Sequence, residues 1–134
     1  MLTCLALAAA LNSSSMAEIP ALTAAIEAEA RALSVETQST PALVDRIETF
    51  SGDATRLSAL LQDAGVGQDM PCIFQGIAKD ARDRAAELSA ADTQGERNTA
   101  LMNLRVLMDD AAMIAPIAAT VAQDRAEHRD VALR

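Results

Sequence analysis

At 134 residues and a formal net charge of −8, the chain has room for one ordinary domain, and its acidity would repel a phosphate backbone rather than neutralise it. Two aromatic residues, Phe50 and Phe74, with no Trp or Tyr, offer little to stack bases on. They also fall short of the aromatic content that β-sandwiches and barrels draw on. A hydrophobic content of 51% that leans on alanine and leucine favours helix.

The chain opens MLTCLALAAALNSSSMAEIP. Residues 2–11 have the length and apolarity of a signal-peptide core. Ser15-Met16-Ala17 puts small residues where signal peptidase needs them, so residues 1–17 read as a cleaved signal peptide, leaving Glu18 first and the protein periplasmic or secreted. No Lys or Arg precedes the apolar run. Two other readings stand beside this one: a small cytosolic protein that starts at Met16, or a short folded helix over residues 2–11. The longest uncharged apolar run, residues 1–11, is shorter than the ~20 residues that span a bilayer, so no membrane span is expected. Cleavage would leave Cys72 as the one remaining cysteine, available for an intermolecular disulfide or as a ligand.

Beyond Glu18 the punctuation divides the chain into four pieces, about 20–38, 41–64, 71–90 and 96–132. Pro20 suits a first helical turn. Ser39-Thr40-Pro41 reads as an N-cap followed by proline at the first helical position. Gly65-Val66-Gly67 reads as a stop, Asp69-Met70-Pro71 as a restart, and Asp92 to Gly95 as a polar turn. Within the second piece Leu43, Ile47, Phe50, Ala54, Leu57, Leu61 and Ala64 alternate spacings of four and three, a sustained helical seam. Gly52 lies off that seam and weakens the helix without breaking it. Narrower stripes run through Ile19, Leu22, Ile26 and Leu33, and through Phe74, Ile77, Ala81, Ala85 and Leu88. Glu29 conflicts with the first of these by falling on a seam position. In the fourth piece Leu101, Leu104, Met108, Ala111, Ala115, Ala118 and Ala122 keep one phase straight through Pro116, which predicts a single helix kinked near that proline. The fold expected for residues 18–134 is all-α, an antiparallel up-down-up-down four-helix bundle.

Motifs for catalysis are scarce. The single histidine, His128, precludes the paired Glu-x-x-His of a di-iron carboxylate bundle, and no Cys-x-x-Cys-His occurs for covalent haem. His128 does fall on a seven-residue line with Leu107, Ile114 and Val121, which would lean its ring inward near the end of the last helix. In an antiparallel bundle that end lies beside Met70, Cys72 and Phe74. Histidine, methionine and thiolate are ligands suited to haem iron or copper. The arrangement is similar in architecture to the four-helix-bundle b-type cytochromes, which hold haem near one end between a methionine on the first helix and a histidine on the last. That likeness would give His128 the histidine role, although residues 20–38 carry no methionine.

The plainer reading has His128 facing water and complementing the dipole of the last turns, and Met70 as a cap contact. Cys72 would sit in the first turn of its helix, where the dipole favours a thiolate, or serve as a small core residue. Lys79, Asp80, Arg82, Asp83, Arg84 and Glu87 would form a solvated face laced with ion pairs. The function expected is therefore non-enzymatic: an exported helical bundle that binds another protein or a second copy of itself. A haem b or copper carrier using His128, Met70, Phe74 and Cys72 is the alternative.

Overall fold

The computed structural model describes residues 13–134, with side chains from Met16 onward. The apolar run at residues 2–11 and Cys4 lie outside the described residues. Four helices follow in chain order: α1 Ser13–Ser34, α2 Pro41–Asp63, α3 Asp69–Ala90 and α4 Gln94–Ala132. Among the described residues there is no strand.

Local chemistry sets the helix ends. The Thr40 hydroxyl accepts from the Leu43 N–H at 3.1 Å, and Pro41 takes the first helical position, so one orphan donor is capped and one is removed. At the other end of α2, Gly65 turns with φ 74°. This left-handed conformation suits glycine. It allows the Val66 N–H to reach the Leu61 carbonyl at 3.0 Å and the Gly65 N–H to reach that of Gln62 at 3.0 Å. This is the paired hydrogen bonding of a Schellman stop, and Val66 then folds into the core, a contact that often accompanies the motif. Pro71 lies in the first turn of α3, where its missing N–H has no intrahelical acceptor to disappoint.

Three features depart from the sequence reading. First, α1 starts at Ser13, so Pro20 lies inside it rather than in its first turn. Its ring faces solvent, and the position deprives only the Met16 carbonyl of a donor. Second, α4 begins at Gln94, two residues earlier than the turn at Asp92 to Gly95 suggested. The Thr93 hydroxyl accepts from the Glu96 N–H at 3.1 Å, while the Glu96 carboxylate accepts from the Thr93 and Asp92 N–H groups at 3.2 and 2.7 Å. This reciprocal capping box carries Gly95 into the helix. Third, the buried stripe of α1 passes through Ala30, and Glu29 stands half-buried at its flank. There it accepts from Arg46 of α2 at 2.9 Å, while a second Arg46 nitrogen donates to Glu36 at 2.8 Å.

The helices pack as a four-helix bundle. α2 lies most extensively on α3 and α1 on α4, and the α1–α2 and α3–α4 edges complete the ring. Along α2, Arg46 and Arg56 meet Glu29 and Glu18 of α1, so numbers rise on one helix as they fall on the other. Ser51 and Ser58 likewise donate to the carbonyls of Ala78 and Pro71, each at 2.7 Å. Both serines are buried. A small hydroxyl that gives its proton to a carbonyl across the interface lets two helices approach without leaving a polar group unpaired.

The expected seams form the core. All seven α2 seam residues are buried, as are the five of α3 and every one named on α4 except Leu101, which is half-buried. α4 is one helix across Pro116, and α2 runs unbroken through Gly52.

Candidate functional site

The residues singled out for a ligand-binding end stand in different surroundings. His128 is exposed, and its Nδ1 lies 2.7 Å from the Asp124 carbonyl one turn back on its own helix. Phe74 is fully buried and belongs to the core. Met70 is half-buried and packs against that core. Cys72 is disulfide-bonded. The other cysteine in the sequence, Cys4, lies outside the described residues. A sulfur in a disulfide offers no thiolate to a metal or a substrate. Among the described residues no three His, Cys, Asp or Glu side chains come together in a way that would hold a metal ion.

The earlier start of α1 brings one residue into play that the sequence reading had assigned to the leader. Met16 packs partly buried against the core and, with Ile19 and Pro20, faces Ala119, Ala122 and Ala126 of α4 across a hollow. His128 does not line it. A second groove, between the end of α3 and the start of α4, contains Glu87 and Glu96. Both carboxylates are already engaged. Glu87 pairs with Arg84 at 2.9 Å, and Glu96 closes the capping box, where two backbone donors hold its carboxyl below the usual range. On the charged face of α3, Lys79 pairs with Asp83 at 2.7 Å, and Arg82 reaches across to the Ser51 hydroxyl at 3.0 Å.

The feature that stands out is on α4, and the sequence reading missed it. At about 100° per residue, Met102, Val106, Met113 and Ile117 fall within a sector of about 60°. They are 63%, 60%, 65% and 51% exposed. The opposite face of the same helix carries Ala100, Ala111, Ala115, Ala118 and Ala122, all buried, with Leu104 and Met108 among them. This helix therefore keeps mostly alanines inside and a row of larger apolar side chains outside. The exposed Val35 and Ile73 have no such company, and scattered apolar residues of that kind are ordinary. A row of four along one helix is not.

The row has a charge pattern as well. Asp109 and Asp110 are exposed between its two halves and make no ion pair with any described residue. Asp124 and Glu127 continue the acidic series beyond Ile117. Arg105, at the sector's edge, donates through Nε to the Ser34 carbonyl at 2.9 Å and so secures the end of α1. The outward sector is apolar and acidic, and Arg105 at its edge is anchored to the end of α1.

Comparison with protein-family models, with curated proteins and with solved structures finds no match. Among the described residues no helix is long and apolar enough to cross a membrane.

Proposed function

We propose that the protein is a non-enzymatic, exported helical bundle in up-down-up-down order that works by binding another protein. The observation that carries this reading is the second apolar face of α4. A helix that packs on one side needs one apolar stripe. α4 has two, and the outer one holds the larger side chains. Exposed apolar rows of that kind mark interaction surfaces.

Export is supported by the signal-like character of residues 1–17. Cleavage after Ala17 would remove Cys4 and leave Cys72 as the chain's one cysteine, open to an intermolecular disulfide.

A native mass spectrum of the full-length gene product, recovered from its own cells and kept non-reduced, tests the reading. A chain that begins at Glu18 and carries a second polypeptide in fixed ratio is expected. A bare monomer that begins at Met1 or Met16 and stays in the cytosol would refute it. A haem or copper mass on the chain would favour the carrier reading instead.

A further inference from the structure

We propose that the outward face of α4 docks a cationic amphipathic helix of a partner protein, with a lysine or arginine of that helix set against Asp109 and Asp110. This rests on the protein-binding reading above and names the chemistry of the partner.

The spacing gives the shape of the occupant. Met102, Val106, Asp109, Met113 and Pro116 follow intervals of four and three, the pattern of a seam that receives one straight helix. The charge gives its sign. Asp109 occupies a seam position, where a single polar residue sets register and partner at some cost in stability. Among the described residues Arg105, one turn before Asp109, is the α4 cation nearest it and is anchored through Nε to the Ser34 carbonyl, while Arg97, Arg125 and Arg129 project from other sectors of α4.

Charge also disfavours a second copy as the occupant. Packed antiparallel about the centre of the row, α4 would lay Met102 over Ile117 and Val106 over Met113. The same operation would lay Asp109 over Asp110. Packed parallel, each carboxylate would face its own copy. Either way like charges oppose each other at the centre of the row, and such opposition selects against a partner. A cationic helix removes that penalty and replaces it with attraction, which steers and orients the encounter.

The test uses the full chain and two synthetic probes of about three heptads. One has leucine on the seam and lysine elsewhere. The other has glutamate in place of lysine. Titration calorimetry should show one-to-one binding of the leucine–lysine peptide and none of the leucine–glutamate peptide. Binding should weaken by about tenfold or more, about 1.4 kcal/mol per decade, in Val106→Ser/Met113→Ser and again in Asp109→Asn/Asp110→Asn. It should be unchanged in Asp45→Asn/Glu48→Gln, a matched charge change on the exposed side of α2.

Equal weakening in that control would reduce the effect to general charge attraction and overturn the proposal, as would no binding. Sedimentation showing a dimer that Val106→Ser/Met113→Ser dissociates would assign the face to a second copy. Binding seen only after removal of residues 1–12 would assign it to the chain's own first residues. If the peptide fails while a partner polypeptide still accompanies the native chain, the surface is misassigned and the binding function stands. If no partner accompanies the chain either, that function falls with it.

Discussion

α2 and α4 solve the same packing problem with opposite use of side-chain size. α2 turns Leu43, Ile47, Phe50, Leu57 and Leu61 inward, and it leaves no large apolar residue exposed. α4 offers its neighbours chiefly alanines and turns two methionines, a valine and an isoleucine outward. Burial explains where α2 puts its large apolar residues. It explains only one face of α4, so the residues left over are where function is to be sought.

The comparison can be broken first at its strongest point. Phe50→Ala removes a fully buried ring at the α2 seam and should cost about 3–5 kcal/mol, the usual range for such a cavity. Denaturant unfolding would measure it, and a loss below about 1 kcal/mol would mean the α2 seam collapses easily. The inward face of α4 fails by excess instead. Ala115→Leu forces a larger side chain into a fully buried position and should cost about 1–3 kcal/mol. A neutral result would show that the α4 interface has room, and that its alanines are not there for close approach.

A smaller effect concerns how α4 begins. The Glu96 carboxyl is held below the usual range by the backbone donors of Asp92 and Thr93. A carboxyl depressed in the folded state contributes stability above its unfolded value, and that contribution is lost as pH falls through its folded value. The difference in Tm between the native chain and Glu96→Ala should therefore be full at neutral pH and close as pH drops below the ordinary carboxylate range. A difference that did not change with pH would remove the carboxylate from the cap. The smallest effect is expected on the outer face of α4. Met113→Ser should alter stability by no more than about 0.5 kcal/mol, since the side chain is mostly in water. A larger loss would mean the outer row serves the fold.

These contrasts show which parts of the molecule the residues declare. The seams of α2 and α3, the stop at Gly65 and the cap at Thr40 follow from spacing and turn chemistry, because each is a local rule that packing reinforces. The capping box at Thr93 and Glu96 carried an equally local signal. It was obscured because Gly95 drew attention as a turn residue. The helicity of residues 13–17 was hidden for another reason: they were read as the end of a leader, and three of them are serines, which do not announce a helix.

The candidate site was the least readable. Periodicity reports that apolar residues recur but does not say which of two stripes faces the core. Of the three methionines on α4 only Met108 is inside, and Met102 and Met113 face solvent. Conversely, the seven-residue line that pointed His128 inward held for Leu107, Ile114 and Val121, which are half-buried, and ended at an exposed ring. Alanine decides the matter in α4, because a helix that approaches its neighbours closely needs small residues on the side of contact.

That the outer row is half thioether has a chemical consequence. Unbranched and polarizable, methionine re-forms its contacts around partners of differing shape, but its sulfur is also open to oxidants. Peroxide should attack Met102 and Met113 ahead of Met108, which has no exposed surface. Each sulfoxide formed would set a polar oxygen in the row. The helix would keep its place in the bundle while its outer face changed from oily to wet, and the same enzymes that reduce methionine sulfoxide elsewhere could restore it.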